Sequence, residues 1–551
     1  MHVLEVALII AVLGVFWCLD AWWRGRKTAA AQNGDDVRVP TPWEQIARFF
    51  GQPRNYQLTR WLVLRLLGFV YVFAFLGLIL QGPGLLGSHG LTPVATYVDV
   101  LREHGKGFID VPTVFMFGDS DTALAVWAWI GLLLALAMVA GYANLPSLLV
   151  VWLIYGSFER VGQLWFSFGW EIQILETTLL AAFLAHPWDP RPLKAPSPPI
   201  TAIVLMRWLT FRIMLGAGLI KWRGDACWKD LTCLDWHFET QPIPNPLSPF
   251  FHHLPHSVLA SGVIANHFVE LVCPWLLFGP RPLRLVAAWS MLGFQIVLIL
   301  SGNLAFLNWL TVVPVLACFD DDAFLRVIPK RPRAWLQARL APGKPTAFTG
   351  HHIAVIAFAC LVAVKSIAVI ENLANDKRQA MNRDFDRLSL VNTYGAFGSV
   401  GDVRYEIVIE GTMAEQPTDD ADWRAYELPC KPGDVTRRPC ILGPYHRRLD
   451  WLIWFSAMDD KLNDPWIVHL VWKLLDGDTT IRGLLAVDPF DGKPPKWVRI
   501  RRFVYHLQPY SADTWWKREL VDPAWMVPVS KDTPDLMDVL ARYRWPSPST
   551  H

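Results

Sequence analysis

Charge is scarce in this chain. Only 18% of its 551 residues are Asp, Glu, Lys or Arg, against about 25% in soluble domains. The charges nearly cancel, to a formal net of +2, so no field of one sign favours nucleic acid as a partner. The common enzyme signatures are missing too. There is no P-loop, no G-x-S-x-G elbow, no H-E-x-x-H pair, no Rossmann glycine pattern and no zinc-type C-x-x-C pair. His252, His253 and His256 are close in sequence, as are His351 and His352. Neither set has an acidic partner at ligand spacing, so no metal and no other cofactor is expected. No internal repeat is present.

What the chain does have is apolar length. Hydrophobic residues make up 53% of it, and many of its 29 tryptophans stand near the ends of apolar runs, where amphipathic rings favour the membrane interface. A bilayer-crossing helix needs about 20 mostly apolar residues. Candidate spans lie at 3–19, 60–80, 122–141, 145–165, 170–186, 200–222, 258–279, 283–300, 304–319 and 352–371. The first is followed rather than preceded by Arg24, Arg26 and Lys27, which reads as an uncleaved anchor and not as a signal peptide.

Lys and Arg collect on the cytoplasmic side of membrane proteins. With the N-terminus outside, they fall in 20–59, 187–199, 280–284 and 320–351. The opposite loops, 81–121 and 223–257, hold only Arg102, Lys106, Arg223 and Lys229. This order divides the chain into an anchor with a cytoplasmic segment (1–59), a polytopic α-helical bundle surrounded by membrane lipids (60–371) and a non-cytoplasmic domain (372–551). In that last domain apolar runs shorten and alternate. Strands are expected over 387–391, 404–411, 423–428, 497–507 and 515–521, and helices over 464–475 and 479–486. The pattern predicts a β-rich, sandwich-like α+β domain with a helical insertion.

The stretch 224–246 departs from a simple inter-span loop. It combines charges, aromatic rings, Cys227, Cys233 and the prolines Pro242, Pro244 and Pro246, the chemistry of a surface that something reads or rests on. Cys18, Cys273, Cys318 and Cys360 lie in predicted spans. Cys227, Cys233, Cys430 and Cys440 all fall on the predicted exterior, where disulfides persist. Cys227–Cys233 and Cys430–Cys440 are the natural pairs, although four cysteines allow three pairings. Three prolines should hold the end of the loop extended, capping the exterior mouth of the bundle.

Ionisable groups inside spans are costly and often functional. They are Arg65, Glu159, Arg160, Glu171, Glu176, Arg207, Arg212, Lys221, His267, Glu270 and Lys365. Glu171, Glu176, Lys221, His267 and Glu270 are the candidates for an intramembrane polar site. The plainer reading is a set of interhelical ion pairs. Convergence on one cavity would point to an enzyme; separate pairing would not.

Four stretches together resemble the lipase maturation factor family. They are 216–221 (GAGLIK) with 225–246, Trp170-Glu171 with Leu175-Glu176-Thr177, Leu390 to Gly398 (LVNTYGAFG), and Pro444 to Phe455 (PYHRRLDWLIWF). The resemblance implies a membrane-embedded, chaperone-like factor that helps secreted lipases, or other exported proteins, reach their active fold. In animal members the site is the endoplasmic reticulum. The ending Pro548-Ser549-Thr550-His551 is not a Lys-Asp-Glu-Leu signal and fits a prokaryotic inner membrane equally. No catalytic residue comes with the resemblance. The spans also loosely resemble vitamin K-dependent carboxylase-like membrane domains, which keeps a membrane enzyme acting on lipid or protein substrates as the alternative. Candidate client-binding residues are Asp225, Trp228, Asp230, Asn392, Tyr394, Arg447, Arg448, Asp450 and Trp451. The segment 392–398 is expected to dock on the bundle or on the 223–257 loop. Trp451 is expected to stay partly exposed beside Arg447 and Arg448; the competing expectation makes Asp450 a helix cap and Trp451 core.

Overall fold

The computed structural model describes residues 55–545 except 192, 194–196, 341–349 and 376–378. The expected anchor at 3–19 and Cys18 lie outside the described residues. The helices of the bundle, in order, are α1 (Gln57–Leu85), α2 (Val94–Glu103), α3 (Asp121–Ala140), α4 (Leu145–Val161), α5 (Gly169–Leu184), α6 (Ile200–Arg223), α7 (Leu234–Thr240), α8 (Ser248–His252), α9 (His256–Leu276), α10 (Arg281–Ser301), α11 (Leu307–Val315), α12 (Asp321–Val327), α13 (Lys330–Arg339) and α14 (Gly350–Ala374). Among the described residues, α1, α3, α6, α9, α10 and α14 are long and apolar enough to cross a membrane. The chain is a multi-pass membrane protein.

Helices α4, α5 and α11 are shorter. The 16 residues of α5 reach about 24 Å at 1.5 Å each, less than the ~30 Å of a hydrocarbon core. Nearly all of α5 is buried, so it is the inner helix of the bundle, and protein rather than lipid continues past its start. Helix α9 is interrupted by a π turn over Phe268–Val272. Pro274 explains the turn: it has no N–H for the carbonyl of Glu270, and its ring crowds that oxygen.

Linkers that share a side in the sequence share an end of the bundle. At one end Asp321 accepts the N–H groups of Gln57 and Leu58 at 3.0 and 2.9 Å. There Tyr56 N–H donates to Ser197 Oγ at 3.0 Å, and Arg281 forks onto Asp320 at 2.7 and 2.8 Å. The Arg207 guanidinium closes the same end on Tyr56 and Ala317. The turn after α1, the loop after α6 and the C-terminal domain gather at the opposite end.

The C-terminal domain contains β1 (Arg404–Thr412), β2 (Arg424–Ala425), α15 (Arg448–Met458), α16 (Pro465–Asp476), α17 (Thr479–Arg482), β3 (Trp497–Leu507), β4 (Trp516–Val529) and α18 (Pro534–Arg542). Its strands form one antiparallel sheet in the order β2-β1-β3-β4, with Arg404 opposite Tyr505 and Thr412 opposite Trp497. A polytopic helical bundle followed by a β-containing α+β domain is therefore the architecture. The sandwich-like layering resolves into a single sheet, because the apolar helix α15 packs against β1 where a second sheet was expected. No strand forms over 387–391. Ser389 takes a positive φ of 50°, and the N–H groups of Leu388, Ser389 and Leu390 are spent on Asp386. The helix expected over 479–486 stops at Arg482.

Candidate functional site

Three buried polar nodes join the bundle to the C-terminal domain. The first is built on Glu171 in the first turn of α5. Its carboxylate is fully buried and receives Arg448 Nη1 at 2.8 Å, Trp170 Nε1 at 3.0 Å and the Tyr155 hydroxyl. Arg448 opens α15 and also donates to the Trp165 carbonyl, with its guanidinium 3.6 Å from the Phe166 ring centre. A carboxylate inside a bundle is stable only with a paired, hydrogen-bonded cation, and the C-terminal domain supplies it. Gln81, near the end of α1, fixes the same segment. It donates to Tyr445 Oη and His446 O at 2.9 and 2.7 Å and accepts Arg448 N–H at 2.9 Å.

The second node is Glu176, lower on α5. It pairs with Arg212 of α6 and accepts Asn392 N–H and Nδ2–H, both at 3.1 Å, and Tyr394 O–H at 2.7 Å. Arg212 also donates to Asn392 O at 2.7 Å. The chain reaches this depth because α6 presents no side chain at Gly216, where a Cβ would collide with the Tyr394 carbonyl.

The third node is the loop after α6. Cys227 and Cys233 are disulfide-bonded, as are Cys430 and Cys440. The first bridge belongs to a small core with Trp228, Val263 and Val400. Trp228 Nε1 donates to Phe397 O at 2.9 Å, and Asp225 Oδ2 accepts Val400 N–H at 2.7 Å. Beneath this core Lys221 donates to Glu270 at 2.6 and 2.8 Å and to Asn266 at 3.1 Å, and His267 meets the Trp228 carbonyl at 3.0 Å. The loop is covered from above. Arg404, fully buried on β1, donates to the carbonyls of Glu239 and Pro242 at 2.7 and 3.0 Å, and Glu239 accepts Leu507 N–H at 2.6 Å. The chain's own domain rests on this surface.

The five intramembrane candidates are thus brought into three separate pairings and do not converge on one cavity. Glu171 pairs with Arg448, Glu176 with Arg212, and Lys221 with Glu270, with His267 beside the last. Of the nine client-binding candidates, Trp228, Asn392, Tyr394, Arg448, Asp450 and Trp451 are buried. The expected exposure of Trp451 is corrected: its ring lies against Trp170 and His446, at centroid distances of 5.0 and 5.5 Å. Asp450 is not the cap of its helix either. Arg447 holds that position, and Asp450 instead accepts Cys430 and Lys431 N–H at 2.7 and 2.8 Å, which anchors the second disulfide loop. Asp225 and Arg447 are half-buried, and Asp230 is exposed.

Sequence reasoning missed several members of the joint. Gln81 was readable as a lone amide ending an apolar span. Asn303 gave no signal, yet its Oδ1 accepts Leu442 and Gly443 N–H at 2.9 and 3.1 Å, and its amide donates to Cys440 O at 2.9 Å. His469 was also missed. It meets Leu91 O at 2.7 Å and stacks on Trp545 at 4.6 Å. Burial, with Lys473 nearby, holds its pKa down to about 3, and burial holds His237 in α7 at about 4. Both are neutral when folded and titrate near 6.5 when unfolded. Their contribution is complete above that pH and is lost as pH falls toward their folded values. Each should remove about 2 kcal/mol between pH 6.5 and 5. Thermal unfolding in detergent at pH 7.5 and 5.0 checks this: His469→Gln should flatten the dependence by one histidine's share, and an unchanged slope contradicts it.

The family profile described as the lipase maturation factor transmembrane domain matches residues 58–326, and the lipase maturation factor C-terminal domain matches 390–526. Lipase maturation factor 1 of Mus musculus is 41% identical over 525 residues, 90% of each chain. The chain belongs to the lipase maturation factor family. The Bos taurus lipase maturation factor 1 is 42% identical over 524 residues, covering 90% of this chain and 92% of the relative. Lipase maturation factor 2 of Xenopus laevis is 28% identical over 609 residues, 89% of this chain and 85% of the relative. No solved structure matches. In this lipase maturation factor family member, the four stretches that carry the resemblance in sequence meet in space. Trp170–Glu171 touches Arg448 of the fourth stretch, Glu176 touches Asn392 and Tyr394 of the third, and Asp225 and Trp228 of the first touch Val400 and Phe397.

Proposed function

We propose that the chain is a membrane-embedded maturation factor for secreted lipases, and that it presents its C-terminal domain to them in one fixed orientation. The observation that carries this reading is the family likeness, which runs through both the bundle and the C-terminal domain at 41% identity to a protein named lipase maturation factor 1. The buried joint supports a fixed presentation, since each node ties a different depth of the bundle to the domain. The Lys and Arg of 187–199, 280–284 and 320–351 put one end of the bundle in the cytoplasm. The domain, both disulfides and lipase clients are then on the other side, in the endoplasmic reticulum of a eukaryote or outside the inner membrane of a prokaryote. The separate pairing of the intramembrane ionisable groups gives the membrane-enzyme alternative no support.

Arg447 and Asp230 are the sequence candidates left most open to a client. The test is secretion of a dimeric lipase from cells deprived of their own maturation factor. The wild-type chain should restore secreted lipase activity. Arg447→Ala should lower it about fivefold, the effect of one interface contact of roughly 1 kcal/mol, at unchanged protein level. A well-expressed wild-type chain that restores no activity would contradict the lipase reading. Full activity of Arg447→Ala would remove Arg447 from the client surface.

A further inference from the structure

A hollow of about 140 Å³ opens between α1 and α3, at the end of the bundle that carries the C-terminal domain. Leu78, Gly82, Pro83, Leu124, Ala128 and Trp129 are among its walls, and Asp121 contributes a carboxylate. Two features of α1 create it. Pro83 lies inside the helix and has no N–H for the carbonyl of Ile79. Gly82 leaves the space unfilled, since a Cβ there would meet nothing within 4 Å.

The hollow is continuous with the lipid-facing surface. Trp129 forms part of its wall and is 52% exposed. Leu133 and Leu136, one and two turns further along the same face of α3, are exposed as well. In a helix that crosses a membrane these side chains meet lipid. The loop before α3 adds exposed Phe108, Ile109 and Phe117, with the two phenylalanine rings 5.3 Å apart. Such an apolar tip, next to the start of a span, belongs at the membrane interface. An apolar hollow that opens sideways at this depth is reached by an acyl chain.

We propose that the hollow binds one acyl chain of a bilayer phospholipid. Its volume is close to the roughly 150 Å³ of a protein cavity that takes up benzene, so it holds a segment of about six carbons. Asp121 accepts Ser88 N–H and Oγ–H at 2.7 and 2.6 Å. A free fatty acid would bring its own carboxylate toward this one, an unfavourable pairing, whereas an ammonium-bearing head group would be favoured.

The test uses the full chain in nanodiscs of phosphatidylcholine with a trace of phosphatidylcholine carrying a diazirine in its acyl chain. Irradiation is followed by proteolysis and mass spectrometry. Adducts should concentrate on 78–87 and 121–129. Gly82→Phe should reduce them on the order of tenfold, the ratio expected when about two methylenes are excluded from an apolar site. Adducts near Ile296 and Val297, exposed on α10, should not change. Gly82→Leu, with a shorter side chain in the same space, should give an intermediate loss and serves if the phenylalanine variant does not fold. Adducts spread evenly over the lipid-facing helices, or unaltered in both variants, would overturn the proposal. Displacement of the label by excess palmitate would replace the phospholipid with a fatty acid as occupant and overturn it too.

Discussion

Glu171→Ala should destabilise the protein by about 3–5 kcal/mol, because it leaves Arg448 buried without its carboxylate. The guanidinium is 2% exposed, and its remaining acceptor is the Trp165 carbonyl. The expected result is a large fall in thermal midpoint in detergent and a low steady-state protein level. Arg448→Ala should cost a similar amount by stranding Glu171, which keeps only Tyr155 and Trp170. The double variant Glu171→Leu with Arg448→Met should recover much of the loss, since an apolar pair of similar volume often matches a buried ion pair. Losses that simply add in the double variant would mean that the two groups do not act as a pair.

A second large effect is expected at Glu176. Alanine there takes the shared carboxylate from Arg212, Asn392 and Tyr394 together. The cost should again exceed about 3 kcal/mol, the lower range for breaking a buried pair. Its character should differ from that at Glu171. The segment 392–398 follows the linker 379–390, which meets the bundle through Gln379 and the Arg387 carbonyl, so its release should loosen that linker and expose it to limited proteolysis. Tyr394→Phe removes one hydrogen bond to the same carboxylate and should cost about 1–3 kcal/mol while leaving the linker protected. Equal protease resistance in wild type and Glu176→Ala would contradict this role.

Much of the architecture was legible because hydrophobic length and Lys/Arg placement are long-range signals. Apolar runs located the helices, and the linkers 187–199 and 280–284 do share an end. The docking of 392–398 was legible from Gly395 and Gly398 beside aromatic rings, and it occurs through Asn392, Tyr394 and Phe397. The fate of Arg448, Asp450 and Trp451 was not. A run of arginines and tryptophans has the composition of a binding surface, and composition does not distinguish a surface that meets another protein from one that meets the rest of its own chain. What decides is α5: it is too short to span, so its sunken first turn requires a cation, and Arg448 is the group that reaches it. That pairing joins residues 277 positions apart, a separation no local pattern encodes. The strand expected at 387–391 failed for a local reason: the N–H groups of Leu388, Ser389 and Leu390 turn onto Asp386 instead of a sheet ladder.

The central claim is that bundle and C-terminal domain form one body through buried polar nodes. Its most direct test is a distance measurement by double electron–electron resonance on the full chain in nanodiscs. Spin labels would be placed at Ile109→Cys, on the loop before α3, and Val527→Cys, on β4, both well exposed, in a Cys18→Ser background. A single narrow distance distribution is predicted for the otherwise wild-type chain, broadening when Glu176→Ala is added. A broad or multiple distribution in the chain with both glutamates intact would contradict the account.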